Sequence, residues 1–185
     1  KLKIPYFSPA AKKLNIAITA AMLYYGLKAS NILAKKYGPY ATFKASPASK
    51  GELSFDLWGV KPVCLDGLLD WNTLKTDIVI YGLYNSTILA FLPTVSTASM
   101  LDSLESFELI NSNYFSRRIG AGEFGVINED LIDVLIPLNL WNNDMKERII
   151  ANNGSIQGIE EIPQFIKDIY KTVWEVSMRD YINSC

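Results

Sequence analysis

Histidine is absent from this chain of 185 residues, and that absence excludes several kinds of chemistry. Without histidine the chain alone cannot supply a Ser-His-Asp or Cys-His catalytic arrangement, a His-ligated zinc ion or an H-E-x-x-H metalloprotease motif. Any general base within the chain must be an Asp, Glu, Lys or Tyr side chain, or a cysteine thiolate.

Cysteine is nearly absent as well, since only Cys64 and Cys185 are present. Two cysteines are too few for a disulfide framework, and their spacing fits neither a metal site nor a C-x-x-C motif. We therefore expect a reduced cytoplasmic protein with no metal site, in which both cysteines are inert. The N-terminus lacks the apolar core of a signal peptide, and no apolar run reaches the roughly 18 residues that span a membrane. Because Lys1 replaces an initiator Met, we expect a chain that begins within a longer reading frame.

No excess of charge of one sign is present, because 18 basic and 19 acidic residues leave a net charge of −1. This balance argues against a dedicated nucleic-acid-binding protein. Glycine and proline are also scarce (11 and 8 residues), while 49% of the residues are hydrophobic. Such a composition excludes a disordered or collagen-like chain and predicts a packed core.

A long helix is predicted over residues 8–36, with Ser8 as N-cap, Pro9 at the first helical position and Gly38-Pro39 at the end. Lysines occupy much of the surface opposite a broad apolar face. A basic amphipathic helix can bind membranes, but a surface helix with a solvated face is the favoured interpretation. The residues predicted for the apolar face are Leu14, Ile18, Ala21, Met22, Tyr25 and Leu27.

The middle of the chain has the order of elements that is typical of an α/β protein. Residues 37–71 are irregular but rich in aromatic residues, so we expect this stretch to be packed. A helix is predicted over residues 71–81, ending at Gly82. The apolar run of residues 86–92 predicts a buried parallel strand, which is followed by a hydroxyl-rich turn and a helix over residues 98–104.

Further elements are predicted in the second half of the chain. Asn152-Asn153-Gly154-Ser155 predicts a turn with its glycine in a left-handed conformation. The other predicted elements are a short strand or extended segment over residues 123–127, helices over Glu129–Leu135 (capped by Asn128) and residues 142–151, and a final helix over residues 163–183.

The turn after the predicted strand is the best candidate for a binding site. A helix N-terminus at the carboxyl end of a strand presents free backbone N–H groups to an anion. The segment consists of Thr94, Val95, Ser96, Thr97 and Ala98, in which the hydroxyls add donors and the small Ala98 leaves room. From the residues alone, simple helix capping is the favoured interpretation, because Ser and Thr are also preferred at helix N-caps.

Two other groups of residues are weaker candidates. Arg117 and Arg118 could bind phosphate or carboxylate, although a structural ion pair is the favoured interpretation. Glu105 and Glu108 form a possible carboxylate pair for acid–base chemistry.

Several stretches together resemble the large, catalytic subunit of class I ribonucleotide reductase, in particular its eukaryotic and viral branch. They occur in the family's order and at similar spacing, and they cover nearly the whole chain. These stretches are Tyr24-Tyr25-Gly26, Tyr37-Gly38-Pro39-Tyr40, Ser46-Pro47-Ala48-Ser49-Lys50-Gly51, Leu92-Pro93-Thr94-Val95-Ser96-Thr97, Arg117-Arg118 with Gly122-Glu123-Phe124, Asn153-Gly154-Ser155-Ile156-Gln157 and Tyr170-Lys171-Thr172-Val173-Trp174-Glu175.

The resemblance implies a helix-rich piece, with few strands, of a ten-stranded α/β barrel. Residues 1–185 would form a single incomplete segment from the second half of the barrel that continues on both sides. In that family a cysteine thiyl radical begins the reduction of ribonucleoside diphosphates to deoxyribonucleoside diphosphates, the precursors for DNA replication. Residues 94–98 would bind the diphosphate of the substrate. The catalytic cysteines have no counterpart in this segment.

The resemblance also implies partners and cofactors. The complete enzyme would need the small radical-generating subunit with its metal cofactor, the remainder of the large subunit, a second large subunit in a homodimer, and ATP and dNTP effectors. The segment itself would bind no cofactor, nucleic acid or membrane. Val95 replaces the family's usual alanine, and residues 103–113 depart from the family pattern. A diverged, non-catalytic relative with a structural or regulatory role is therefore the alternative.

Overall fold

The computed structural model describes residues 2–90, 92–101, 103–104, 109–120 and 122–182, except for the side chains of Ser99, Arg117, Arg118 and Ile119. Within these residues the helices are α1 (Pro9–Tyr37), α2 (Ser54–Leu57), α3 (Trp71–Tyr81), α4 (Val95–Met100), α5 (Glu129–Leu135), α6 (Asn143–Ala151), α7 (Gln164–Ile169) and α8 (Met178–Ile182). The strands are β1 (Tyr114–Ile119) and β2 (Gly122–Ile127), and three short 3₁₀ helices cover Phe43–Ala45, Pro47–Lys50 and Val173–Glu175.

The chain forms two compact units, which we call the helical unit (Lys13–Phe91) and the hairpin unit (Lys1–Lys12 with Leu92–Cys185). The core of the helical unit joins α1, α3 and the irregular stretch between them. Trp71 is central, because its ring meets the rings of Tyr24 and Phe55 edge to face at 5.2 and 4.9 Å between centroids. The core residues of this unit are Tyr24, Leu27, Phe43, Leu53, Phe55, Leu69, Trp71, Leu74, Ile78 and Leu83.

The predicted helices α1 and α3 are confirmed, and residues at their ends explain why they form. The Ser8 hydroxyl accepts the N–H of Ala11 at the start of α1. The Asp70 carboxylate accepts the N–H of Thr73 at the start of α3. Gly82, with a φ of +83°, ends α3 as predicted. Both starts therefore satisfy N–H groups that a helix leaves without internal partners.

The predicted apolar face of α1 is partly wrong. Ile18, Met22 and Tyr25 are exposed. The buried residues of α1 are Tyr24, Leu27, Ser30, Asn31 and Ala34. The buried stripe follows the face that meets α3, where Asn31 Nδ2 donates to Gly82 O at 2.8 Å. By length and composition α1 could cross a membrane, although the sequence analysis expected no such segment. The core helix of a soluble protein meets the same criterion.

The predicted buried strand over residues 86–92 is wrong for its described part. Residues 86–90 and Leu92 have no strand partner among the described residues, and Leu92 is 73% exposed. A parallel strand exists only beside a neighbour with which it shares hydrogen bonds. The described residues contain a single sheet, the antiparallel pair β1–β2.

The hairpin unit packs α5, α6 and α7 around an isoleucine-rich core. Its antiparallel hairpin runs in register from the pair Tyr114 and Ile127 to the pair Ile119 and Gly122. The prediction of α5 is confirmed, although the Asn128 side chain does not cap it. Helix α6 is also confirmed, with the Asn142 Oδ1 accepting the N–H of Met145. The core residues are Leu131, Leu135, Met145, Ile149, Ile156, Ile159, Ile162, Ile166 and Tyr170.

The predicted final helix over residues 163–183 is broken into α7, a 3₁₀ helix and α8. The break follows Ile169, where the side chain of Glu175 accepts the backbone N–H of Thr172 at 2.7 Å. In addition, Val173 N donates to Ile110 O at 3.0 Å. The local cap at Thr172 and the tertiary hydrogen bond to Ile110 replace the helical ones, so residues 170–177 do not continue α7.

Candidate functional site

Residues 94–98 form the first turn of α4 rather than a loop ahead of it. The sequence analysis predicted a helix from Ala98 to residue 104, but α4 begins at Val95 and ends at Met100. Ala98 N donates to Thr94 O at 2.7 Å, which closes the first helical hydrogen bond. The N–H groups of Val95, Ser96 and Thr97 belong to the turn that helix geometry leaves without internal acceptors.

The side chains of this turn divide into an exposed and a buried set. Val95 is 56% exposed, and Ser96 and Thr97 are exposed too, whereas Ala98 is only 2% exposed. Thr94 occupies the N-cap position without making a side-chain capping bond. Ser96 and Thr97 lie inside the helix and therefore cannot serve as its N-cap. The capping alternative thus does not account for any of the three hydroxyl groups.

The C-terminal end of α4 is fixed by two backbone hydrogen bonds. Leu101 N donates to Thr97 O at 3.0 Å, and Ser103 N donates to Ala98 O at 2.9 Å. Together with the buried Ala98 side chain, they hold the turn in one conformation while its opposite side faces solvent. A surface of this kind can bind an anion through backbone N–H and hydroxyl groups.

The other candidate residues belong to other elements or lie outside the described residues. Arg117 and Arg118 lie on β1, opposite Phe124 and Glu123 of β2. Cys64 is an exposed free thiol in the loop after α2. Glu105, Glu108 and Cys185 lie outside the described residues. The described part of the chain contains no group of three carboxylate or thiol side chains placed to hold a metal ion.

Sequence reasoning missed a buried polar junction at Asn113, which is 0% exposed. Its Nδ2 donates to Gly154 O and to Tyr170 O, both at 3.0 Å, and its Oδ1 accepts from Asn128 Nδ2 at 3.1 Å. The junction therefore connects the start of β1, the turn after α6 and the end of α7. Gly154 and Tyr170 both lie in stretches that carry the family resemblance, which was the available signal.

The largest pKa shifts among the described residues belong to groups outside α4. Arg148 forms a bidentate ion pair with Glu161, at 2.7 and 2.8 Å, and these hydrogen bonds lower the pKa of Glu161 to about 2. Burial raises the pKa of Tyr170 to about 12, and its hydroxyl donates to Asp130 O at 2.7 Å. Both groups support the fold of the hairpin unit, and neither is poised for proton transfer near neutral pH.

Comparison with known proteins identifies the class to which this fold belongs. Residues 1–185 match the family described as ribonucleotide reductase, barrel domain. The chain therefore belongs to the ribonucleotide reductase barrel-domain family. It contributes a helix-rich part of that barrel, and the barrel is not closed within the described residues.

Two curated relatives show which proteins the chain is similar to. The chain is 49% identical over 182 residues to the ribonucleoside-diphosphate reductase large chain of Cryptosporidium parvum, and 47% identical to large chain 2 of Saccharomyces cerevisiae. Each match covers 98% of this chain but only 22% and 21% of the relative. The chain thus spans about a fifth of the length of these relatives.

A solved structure supports the fold alone. The Actinobacillus ureae class Id ribonucleotide reductase alpha subunit matches with a TM-score of 0.64 and 24% identity. The match covers 98% of this chain and 26% of that subunit.

Proposed function

We propose that this chain is part of a ribonucleoside-diphosphate reductase large subunit and that residues 94–98 bind the diphosphate of the substrate. The observation that carries the proposal is the exposed first turn of α4. There Ser96 and Thr97 are exposed, beside the N–H groups of Val95 and its neighbours, which the first turn of a helix leaves without internal acceptors. No lysine or arginine lies within the turn, so backbone N–H groups and hydroxyls would supply the donors.

The exposed position of Val95 removes one objection to this assignment. A β-branched residue replaces the family's alanine, and it would obstruct the diphosphate if its side chain filled the site. Its side chain is 56% exposed, while Ala98 is the residue that is buried. Since the first turn offers backbone N–H groups, the substitution changes no donor.

The reaction of the complete protein would be the reduction of a ribonucleoside diphosphate by cysteine thiyl chemistry. By the resemblance, neither Cys64 nor Cys185 matches a catalytic cysteine of the family, so this segment would supply none. The radical would come from the small subunit with its metal cofactor. ATP and dNTP effectors would bind to the remainder of the large subunit, which would form a homodimer in the cytoplasm.

The alternative is a non-catalytic relative that acts as a structural or regulatory partner. The observation that favours it is the sequence of residues 103–113, where polar and Pro-Tyr positions of the family are replaced. A complete protein without the family's cysteines would support this alternative.

The substrate site can be tested in the complete protein that carries these residues. Binding of a ribonucleoside diphosphate would be measured by calorimetry for the Ser96→Ala/Thr97→Ala double variant. We expect the binding free energy to weaken by about 1–3 kcal/mol, the scale of lost hydrogen bonds to a charged group. Val95→Ala is the matched control, and its affinity should stay within about twofold of the parent because backbone N–H groups are unchanged. Unchanged affinity of the double variant would remove residues 94–98 from the site.

A further inference from the structure

The turn after α6 is closed by two hydrogen bonds back onto the helix. Asn153 N donates to Ile150 O at 3.0 Å. Gly154 N donates to Ile149 O at 2.8 Å. With Asn153 in a left-handed conformation (φ +54°), this pair of bonds forms a Schellman motif at the C-terminus of the helix. The backbone nitrogen of Gly154 is therefore held against α6.

The carbonyl groups of the same two residues are held from the other side, by the segment that leads into β1. Ser112 Oγ donates to Asn153 O at 2.8 Å. Asn113 donates twice to Gly154 O, from its backbone N at 3.2 Å and from its Nδ2 at 3.0 Å. All four backbone polar atoms of Asn153 and Gly154 are thus hydrogen bonded. Neither peptide group can turn without breaking some of these bonds.

An asparagine that precedes glycine carries a reaction of its own. The backbone nitrogen of the glycine attacks the side-chain Cγ of the asparagine, and the side-chain amide leaves as ammonia together with the proton of the attacking nitrogen. Water then opens the resulting succinimide ring to aspartate or isoaspartate. Glycine favours the attack because no Cβ obstructs it. Asn153-Gly154 is the one Asn-Gly pair in the sequence.

The folded turn blocks this reaction at its first step. The attacking atom would be Gly154 N, whose N–H is donated to Ile149 O, and Gly154 is buried. We propose that Asn153 is a deamidation site that reacts only when the turn opens, and that the hydrogen bonds from Ser112 and Asn113 set how often it does. The reaction needs water alone and is separate from the proposed reduction of nucleotides.

Deamidation would make the opening permanent. Aspartate at position 153 places a negative charge just beyond the C-terminus of α6, where the helix dipole disfavours it. Isoaspartate routes the main chain through the side chain and lengthens it by one carbon, so Gly154 O can no longer lie opposite both nitrogens of Asn113. Either product separates the start of β1 from the end of α6.

The rate of deamidation is measured in the complete protein, incubated at mildly alkaline pH in water enriched in heavy oxygen. Trypsin releases residues 149–167 as one peptide, because Arg148 and Lys167 bound it. Mass spectrometry then counts aspartate and isoaspartate at position 153, and the heavy oxygen marks the products formed during incubation. A synthetic peptide of residues 149–167 gives the rate without the fold. We expect the folded parent to react more slowly than the peptide by about a hundredfold or more.

Two variants test the gate. Asn113→Ala should speed deamidation by about tenfold or more, because Gly154 O loses a buried donor. Ser112→Ala removes a single hydroxyl and should speed the reaction by about threefold while the unit stays folded. Asn111→Ala is the matched control, since Asn111 is exposed. Asn85, which precedes Ser86 in the helical unit, is the internal reference, and its rate should be the same in all variants.

Hydrogen exchange of the Gly154 N–H in the same samples separates gating from simple unfolding. Exchange and deamidation both require this N–H to leave Ile149 O, so the slowing of deamidation by the fold must be at least as large as the slowing of exchange. Both rates must rise together in Ser112→Ala. Deamidation of the parent at the rate of the peptide, or an unchanged rate in both variants, would overturn the proposal. No nucleotide is involved, so that result leaves the proposed function intact.

Discussion

The side-chain amide of Asn113 donates a hydrogen bond to the backbone carbonyl of Tyr170, 57 residues further along the chain. The same amide donates to Gly154 O, and the backbone O of Asn113 accepts the N–H of Asn128. One buried side chain thus joins the hairpin to two separate turns. Because Asn113, Gly154 and Tyr170 are buried, their polar groups depend on one another for hydrogen bonds.

Replacing Asn113 should therefore destabilise the hairpin unit strongly. Asn113→Ala leaves the carbonyl of Tyr170 without this donor and the Asn128 amide without its acceptor, which should cost about 2–4 kcal/mol. Hydrogen exchange of the Asn128 backbone N–H, measured in the complete protein, would report the loss. Asn111→Ala is the control, because Asn111 is exposed and should change protection by less than about 0.5 kcal/mol. Equal protection in both variants would contradict a structural role for Asn113.

Gly154 occupies a position that no side chain fits. Its φ is +80°, and a Cβ placed there would overlap the hydroxyl of Ser112 and lie 2.8 Å from the backbone nitrogen of Asn113. Gly154→Ala should cost about 2–4 kcal/mol, because it combines backbone strain with a clash against the main chain. Urea denaturation of the parent and variant would measure the change.

Gly158 is the matched control for this substitution, since a Cβ there meets nothing within 4 Å and its φ is not positive. Gly158→Ala should leave the urea midpoint nearly unchanged or raise it slightly. A Gly154→Ala variant as stable as Gly158→Ala would contradict the prediction, because the turn would then accommodate a Cβ without strain.

Two isoleucines on α3 provide a matched pair for the core of the helical unit. Ile78 is 0% exposed and Ile80 is 63% exposed, although they are two residues apart on one helix. Ile78→Ala should cost about 2–5 kcal/mol through lost burial and the cavity left behind. Ile80→Ala should stay within about 0.5 kcal/mol of the parent. Thermal denaturation followed by circular dichroism would distinguish the two variants. Similar losses of stability would contradict the burial of Ile78 and the exposure of Ile80.

The ion pair of Arg148 and Glu161 should make a contribution to the stability of the hairpin unit that is lost at acidic pH. Two hydrogen bonds from Arg148 lower the pKa of Glu161 from 4.5 to about 2. A carboxyl group with a lowered pKa stabilises the fold above its unfolded pKa, and this contribution is lost as the pH falls from 4.5 through about 2. Titration of the Glu161 carboxyl followed by NMR should give a midpoint near 2.

The Arg148→Ala variant provides the internal comparison for that titration. Removing the guanidinium should move the midpoint of Glu161 upward toward its ordinary value, because its main hydrogen-bond donor is lost. Asp70 is a useful reference, because its pKa is lowered by hydrogen bonds from Thr73 at the start of α3. That pKa should not respond to a substitution of Arg148 on α6. A Glu161 midpoint that is unchanged in Arg148→Ala would exclude the ion pair as the cause.

Local features were the ones that the sequence could predict. The helices α1, α3, α5 and α6 were predicted from capping residues and apolar spacing, because those signals lie within a few residues of each helix end. The turn at Gly154 was predicted for the same reason. The apolar run at residues 86–92 predicted a parallel strand wrongly, because such a strand depends on a partner strand that the run itself cannot specify.

The candidate site was identified from the sequence in its residues but not in its geometry. The residue types of positions 94–98 predicted a turn rich in donors, whereas the start of α4 at Val95 and the exposure of its side chain emerged only from the structure. The start of a short helix depends on packing as much as on propensity, and here burial of Ala98 holds it.

The sequence by itself determined the family, the local helices and the absence of histidine chemistry. Each of these depends only on residue identity and short-range spacing. Only the tertiary structure decided which polar groups are buried together. Asn113, Gly154 and Tyr170 meet through hydrogen bonds between distant segments, and Glu175 keeps a buried oxygen without a donor from the described residues. Such pairings depend on how whole elements pack, and no periodicity in the sequence records them.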